Sequence, residues 1–219
     1  MAPTSPPQFV PRGIIFRDAD EKLRLETRNG VIQAEFVFHT VSSWQPGKLI
    51  EPPILLELQR LATNQIYRCA GYFRDGEVTL GVDHQPPDHK EVPRLVDEMC
   101  FYVNEQWMQR RALHLAAYVM WRLNWIHPFF GGNGRTARAF SHLILCLRLG
   151  FTPPATEKNI PELIDEDPDP YYHALRAADA ALLNTQQIDV TEMEALLSSL
   201  LAKQLVAIHV LATGQPAPF

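Results

Sequence analysis

The chain has 219 residues, 46% of them hydrophobic, and 20 basic against 25 acidic residues give a formal net charge of −5. This composition suits a globular protein with one principal domain and an ample core. The mild acidity and the lack of a basic block argue against a nucleic-acid partner, and no uninterrupted apolar run of membrane length is present to suggest a membrane protein.

The N-terminal part is predicted to be a disordered lead followed by a helical extension. Residues 1–12 are rich in Pro and Ser and lack the basic-then-apolar order of a secretory signal. Leu23 and Leu25 hint at an edge strand, whereas apolar residues recur at helical spacing over residues 28–41. Residues 13–51 are therefore assigned to an N-terminal helical extension.

The next stretch predicts two helices separated by a small hairpin. Residues 54–64 and 92–107 each show an amphipathic helical pattern with prolines at or just before its start. Between them, residues 71–81 form two short runs around Asp75-Gly76, a dipeptide that favours tight turns. The expected β-hairpin has an exposed edge to which an extended segment of another protein can add as a strand.

A polar, glycine-rich segment follows, His127-Pro-Phe-Phe-Gly-Gly-Asn-Gly-Arg-Thr-Ala-Arg138. It lies between an apolar helical pattern over residues 112–126 and a second one that runs from Ala139 until Gly150 stops it. The segment is therefore predicted to be a tight turn that opens a helix. Helix N-termini bind anions, because their first N–H groups lack partners and the helix dipole favours negative charge.

The side chains of this segment suit a phosphate site with its own base. Its glycines let the backbone fold tightly and approach an anion. Arg135 and Arg138 are three residues apart, where two guanidiniums can grip phosphate oxygens from one side of the helix. His127 carries the side chain best suited to proton abstraction near neutral pH, so we take it as the general base. A lone His or an Arg pair is more often structural, but the whole ordered set is a specific signal.

At these residues the sequence resembles the Fic family, whose signature is His-x-Phe-x-Asp/Glu-Gly-Asn-Gly-Arg-x-x-Arg. The resemblance implies a mainly helical, all-α fold: a helical bundle with one small β-hairpin flap near residues 71–81, within a core at residues 52–183. Fic enzymes generally transfer the AMP moiety of ATP to a Ser, Thr or Tyr hydroxyl of a target protein. ATP would then be the donor here, and the target protein would dock on the flap near Gly71–Gly81.

The resemblance also implies a role for each residue of the motif. His127 would deprotonate the target hydroxyl, which attacks the α-phosphorus in line. Phe129 would be a buried structural anchor that aims the loop. The phosphates would be held by the residues that follow: Gly132, Asn133 and Gly134 at the α-phosphate, Arg135 at the β-phosphate and Arg138 at the γ-phosphate.

The sequence departs from the family signature at Gly131, where active Fic enzymes carry the acidic ligand of magnesium. A lost charge-stabilising contact of this kind costs about 10²–10³ in rate. Three interpretations are open: magnesium is held weakly, only through phosphates and water; the donor is not an ordinary nucleoside triphosphate; or the site binds without turnover. We favour an adenylyltransferase of reduced activity over a catalytically weak regulatory module that binds a nucleotide or a partner protein.

Beyond Gly150 the pattern predicts a short helix near Pro161 and then a solvated acidic loop at residues 165–170. Residues 171–183 are predicted to be helical. Their Tyr171-Tyr172 pair resembles the family stretch that borders the nucleotide base. Stacking of Tyr172 on a base and ordinary core packing are equally good interpretations.

The last predicted element is a helix within residues 184–212 that packs on the core, followed by a tail at residues 213–219. Thr191 and Glu194 have the spacing of a capping box at its start. The oligomeric state cannot be read from this helix.

Two further observations concern metals and location. His84 and His89 lie in a proline-rich loop without a matching set of Cys or acidic ligands, so they are interpreted as solvated loop residues. The three cysteines form no Cys-x-x-Cys pair, so reduced buried thiols and a cytoplasmic location are expected.

Overall fold

The computed structural model describes residues 13–80, 84–154 and 158–215. The predicted lead at residues 1–12 and most of the predicted tail lie outside these ranges. Within them the chain forms eight α-helices: α1 Ala19–Ser42, α2 Pro52–Thr63, α3 Val92–Glu105, α4 Ala112–Ile126, α5 Asn133–Leu149, α6 Ile160–Glu166, α7 Asp169–Thr185 and α8 Thr191–Thr213. A 3-10 helix at His89–Glu91 precedes α3, and these described ranges contain isolated β-bridges but no strand. The predicted all-α fold is confirmed.

The centre of the fold is the antiparallel pair α4 and α5, which has the most extensive packing of any two helices described. Most residues of α4 are buried, including Trp121, because the helix is apolar on nearly every side. α5 ends at Gly150, whose φ of +82° is the left-handed conformation that glycine supplies at helix C-termini. Both bounds agree with the apolar patterns of the sequence, so the turn between these helices is fixed at both ends.

The N-terminal helix α1 is longer than predicted, and the edge strand expected at Leu23 and Leu25 is wrong. The Asp18 side chain accepts a hydrogen bond from the Glu21 N–H at 2.7 Å and caps the helix. Acidic residues fill the first turn, where the helix dipole favours them. The capping signal outweighs the two leucines that suggested a strand.

Two buried amides hold α1 against α2. Asn29 donates to the carbonyl of Asn64, and Gln33 donates to the carbonyl of Leu58, each at 2.8 Å. Buried amide groups need such partners, so these bonds fix how α1 lies on α2. The contact brings Glu26 of α1 next to α5, where it meets the glycine-rich motif.

The last helix, α8, divides into a packed half and an exposed half. Met193, Leu197 and Leu200 are buried against the core, whereas Val210 and Leu211 are exposed. Of the described helices, α8 is the one whose length and composition would also suit a membrane span, with a window of mean hydropathy 1.7 that is 17% buried. A helix of a soluble protein can have the same composition, so this is weak support for a membrane role, and the expectation of no membrane partner stays a prediction.

Candidate functional site

The turn between α4 and α5 begins and ends with a left-handed residue. His127 caps α4 with φ +49° and ψ +59°, and Gly132 precedes α5 with φ +77°. This conformation suits glycine but is uncommon for other residues, so His127 is held in it by its surroundings. A Cβ at Gly132 would also lie 2.5 Å from the Thr63 methyl group. The shape of the turn therefore depends on a glycine at position 132.

Asn133 closes this turn with its side chain. Its Nδ2 donates to the Phe129 carbonyl at 2.8 Å, and its Oδ1 accepts from the Phe129 N–H at 3.0 Å. Asn133 and Phe129 are both buried, and the centroid of the Phe129 ring lies 5.7 Å from that of Phe73. In this structure the polar atoms of the Asn133 side chain serve the loop, so its predicted contact with a phosphate would have to come from its backbone.

The first turn of α5 presents free backbone donors. The first hydrogen bond into the helix runs from the Thr136 N–H to the Gly132 carbonyl at 2.9 Å. The N–H groups of Asn133, Gly134 and Arg135 precede it, so they have no acceptor within the helix. With no acidic residue in the first turn of α5, this N-terminus keeps its positive end open to an anion.

A groove of about 670 Å³ runs between α4 and α7 and reaches this helix N-terminus. His127, Gly134 and Arg138 line one end, and Tyr172, 52% exposed, lies on the α7 wall. The remaining wall is largely apolar, with Trp125 among the residues that form it. A cavity of this size, lined mainly by apolar surface with a few polar groups, is typical of a small-molecule site.

His127 is a neutral base at the polar end of the groove. Burial lowers its pKa to about 4; a hydrogen bond with the Asn124 backbone opposes this shift, and the nearby Arg74 and His84 favour it. Its Nδ1 is buried. Since the imidazole is uncharged at neutral pH, it can accept a proton there.

The two arginines of the motif point to different neighbours, although the sequence suggested that they project from one side. Arg138 lines the groove and pairs with Asp165 of α6, with Nη2 and Oδ1 2.6 Å apart. Arg135 donates to the carbonyl of Ala62 and pairs with Glu26 of α1, both at 3.1 Å. The structure thus brings Arg138, but not Arg135, to the groove. Asp165 is exposed, as predicted, but it lies in the last turn of α6 and binds Arg138, so the loop predicted at this residue is wrong.

The flap predicted at residues 71–81 does not form a hairpin in the part of it that the structure describes. Residues 71–80 contain no strand, and one isolated bridge joins Leu80 to His84. Gly81 lies outside the described residues. The predicted hairpin is therefore not confirmed. His84 is also not simply solvated, because its Nε2 lies 2.7 Å from the Trp125 carbonyl at the groove wall.

Arg74 holds this segment against the motif, and no sequence pattern indicated this role. Its side chain is fully buried, and its Nε donates to the His127 carbonyl at 2.8 Å. Other guanidinium N–H groups donate to the carbonyls of Gly76 and Pro87, and its backbone N–H donates to Pro128 at 2.8 Å. An arginine beside a turn usually extends into solvent, but Arg74 is buried and donates hydrogen bonds to the carbonyls around His127.

We expect Arg74→Leu to lower the free energy of unfolding by about 2–4 kcal/mol, because it leaves several buried carbonyls without a donor. Arg94→Leu is the control: Arg94 is exposed and, among the described residues, pairs with Glu91 just before α3 and with Glu98 in α3, and such pairs are worth about 0–1 kcal/mol. Chemical denaturation of both variants measures the difference. Equal losses would show that Arg74 does not anchor the loop.

The residues of the motif do not fit a magnesium ion held by the protein at position 131. Gly131 offers no ligand, and a Cβ there would lie 2.5 Å from Cε2 of Tyr67. Elsewhere, Glu77, Asp88 and His89 bring ligand atoms within 4.8 Å of one another, which the sequence spacing did not reveal. The Arg74 guanidinium lies 3.9 Å from Glu77 and repels a cation, so we assign no metal to this exposed group.

Comparison with known proteins agrees with this geometry. Residues 49–145 match the model of the Fic/DOC family. The protein adenylyltransferase Fic of Drosophila persimilis is 31% identical over 126 residues, which cover 57% of this chain and 23% of the relative. The chain thus spans about a quarter of the length of the curated relatives it matches.

Solved structures share the fold. A Fic domain containing signalling protein from Bacteroides thetaiotaomicron superposes with a TM-score of 0.73 at 21% identity, covering 92% of this chain and 78% of that one. The N-terminal Fic domain of a Bartonella quintana protein, solved with bound ADP, has a TM-score of 0.55 at 17% identity and covers 81% and 85% of the two chains. The family match over residues 49–145, which include the motif, identifies a Fic/DOC domain in this part of the chain, and the solved structures share its helical architecture.

Proposed function

We propose that this chain binds ATP in the groove between α4 and α7 and transfers the AMP moiety to a Ser, Thr or Tyr hydroxyl of a target protein. One observation carries the proposal: the neutral imidazole of His127, the open N-terminus of α5 and the guanidinium of Arg138 meet at one end of one groove. The adenylyltransferase name of the relatives and the ADP bound to the Bartonella quintana domain support it.

The charged and the uncharged part of the nucleotide would contact different parts of the groove. The phosphates would lie on the N–H groups at the start of α5, with Arg138 beside them. The nucleoside would extend along the apolar wall, where Tyr172 and Trp125 offer rings for stacking. Magnesium that enters with ATP would be held by the phosphates and water, because position 131 contributes no ligand.

The transfer would use His127 as the base. Its neutral ring takes the proton of the target hydroxyl as the oxygen attacks the α-phosphorus. The bond from the α-phosphorus to the bridging oxygen breaks, and pyrophosphate leaves. The N–H groups of α5 stabilise the charge on the α-phosphate oxygens during this step.

A second candidate function is supported by Gly131. A regulatory module that binds a nucleotide without turnover needs the groove and Arg138 but not the acidic residue that is missing here. Such a module would keep nucleotide affinity and would lack transfer.

Labelled ATP separates the two functions. The full chain is incubated with a cell lysate and with ATP labelled at either the α- or the γ-phosphate. Adenylyl transfer places the α label on protein and leaves the γ label in pyrophosphate, whereas phosphorylation places the γ label on protein and leaves the α label in ADP. Binding of ADP, measured by calorimetry, together with no more α label on protein than in the lysate without this chain would favour the regulatory module and overturn the proposed transfer.

A further inference from the structure

The space beside Gly131 is filled by the ring of Tyr67. A Cβ built on Gly131 would lie 2.5 Å from Cε2, 2.6 Å from Cζ and 2.9 Å from the hydroxyl oxygen of Tyr67. Atoms at these separations overlap, so no side chain fits at position 131 while the ring stays where it is. Position 131 is where the family carries its acidic residue. In this chain the ring of Tyr67, from a distant part of the sequence, occupies the space that an acidic side chain would need.

The backbone is not the reason for a glycine at this position. Gly131 does not have a positive φ, in contrast to Gly132, so other residues can adopt its conformation. The loop also has little freedom to withdraw, because Gln59 donates to the Gly131 carbonyl at 3.1 Å and is itself buried. The ring of Tyr67 is therefore the feature that requires glycine here.

Tyr67 is itself held by its backbone. Its N–H donates to the Thr63 carbonyl at 3.1 Å, and it forms a β-bridge with Ile14. Gln59 thus holds the loop and the end of α2 holds the backbone of Tyr67, so a side chain at position 131 fits only if the half-buried Tyr67 ring turns away.

We propose that Tyr67 is a specificity-determining residue that fills the side-chain space of position 131, so that the groove accepts nucleotide phosphates without a metal ion held by the protein. The ligand class rests on the function proposed above, whereas the exclusion of a side chain does not. The phosphate charge is then balanced by the N-terminus of α5 and by Arg138.

The steric part is tested without any ligand, by thermal unfolding of the full chain. We expect Gly131→Ala to lower Tm by about 4–8 °C, because an extra methyl group is forced against the ring. In a Tyr67→Ala background the same change is expected to shift Tm by less than about 1 °C, since the ring is gone. Tyr67→Phe is the matched control, because it keeps the overlapping ring carbons, and there the full loss should remain. An equal loss in all backgrounds would overturn the exclusion.

The metal part is tested by the affinity of ADP, measured by calorimetry in magnesium and in EDTA. For wild type, and likewise for Tyr67→Ala, we expect the affinity for ADP in magnesium to lie within about threefold of the affinity in EDTA, because neither protein offers a carboxylate to the metal. The double variant Gly131→Asp/Tyr67→Ala has both the carboxylate and the space for it, and it should bind ADP at least about tenfold more tightly in magnesium.

The outcomes separate this inference from the proposed function. A tenfold loss of wild-type affinity in EDTA would overturn metal independence while nucleotide binding stands. If no variant binds ADP in either condition, the proposed function and the metal part both fail. The Tm values of Gly131→Ala in the wild-type, Tyr67→Ala and Tyr67→Phe backgrounds still decide whether Tyr67 excludes a side chain at position 131.

Discussion

His127→Ala is expected to reduce AMP transfer by at least about a hundredfold, the lower end of what a general base contributes. The reason is geometric: His127 is the neutral imidazole at the phosphate end of the groove. ADP affinity should change by less than about threefold, because an uncharged ring adds little to phosphate binding. Transfer is measured with α-labelled ATP and affinity by calorimetry.

The matched control is His89→Ala. His89 lies on the surface beside Glu77, outside the residues that line the groove, and its loss should leave transfer within about twofold of wild type. If His127→Ala transfers AMP as fast as His89→Ala does, His127 is not the base.

The pH profile of kcat/KM gives an independent test of the same assignment. A base must be unprotonated to act, and burial lowers the pKa of His127 from 6.5 to about 4. The rate should therefore stay level as the pH falls from 8 to about 5, and should drop only as the pH passes through about 4. A solvated imidazole would lose activity below about 6.5. A midpoint near 6.5 would show that His127 is not buried in the free enzyme.

The parts of the site that the sequence predicted are those set by local patterns. The apolar residues of α4 and α5 recur every three to four positions, and Gly150 stops the second run, so both helices and the turn between them follow from the sequence. Asp18 and the acidic residues after it also carried a readable start signal for α1. This signal, and not the pattern of Leu23 and Leu25, decides the structure of the segment.

The parts that the sequence did not reveal depend on residues far apart in the chain. Arg74 reaches carbonyls 53 positions away, and Tyr67 fills the space beside Gly131. No pattern within a short window reports such contacts. The sequence alone indicates a lost metal ligand at Gly131, whereas in the structure the Tyr67 ring lies where a side chain at this position would be.

Tertiary contacts also override local signals. Thr191 and Glu194 have capping-box spacing, but Glu194 instead approaches His114 of α4 at 2.7 Å, and no side chain caps α8. Packing of α8 on α4 offers Glu194 a partner that is worth more than the local bond. The predicted capping box is therefore wrong.

Arg138→Ala is expected to weaken the binding of ATP by about 10- to 150-fold, which corresponds to one charged hydrogen-bonded contact of about 1.5–3 kcal/mol. Arg138 is the motif arginine that lines the groove, and its side chain is only 13% exposed, so water screens its charge poorly. Arg135→Ala should cost less, because that guanidinium faces Glu26 and the Ala62 carbonyl. Equal losses for the two variants would contradict the placement of the arginines.

Asp165→Asn is expected to act in the opposite direction and tighten ATP binding up to about fivefold. The Asp165 carboxylate competes with phosphate for the Arg138 guanidinium, but it is 62% exposed, and an ion pair of this kind is worth about 0–1 kcal/mol. Glu166→Gln is the control, because the neighbouring carboxylate pairs with Lys158 instead. Calorimetry at two salt concentrations measures the effect, which should shrink as salt screens the ion pair. If Asp165→Asn binds ATP no better than Glu166→Gln does, the contact between α6 and the motif does not restrain the nucleotide site.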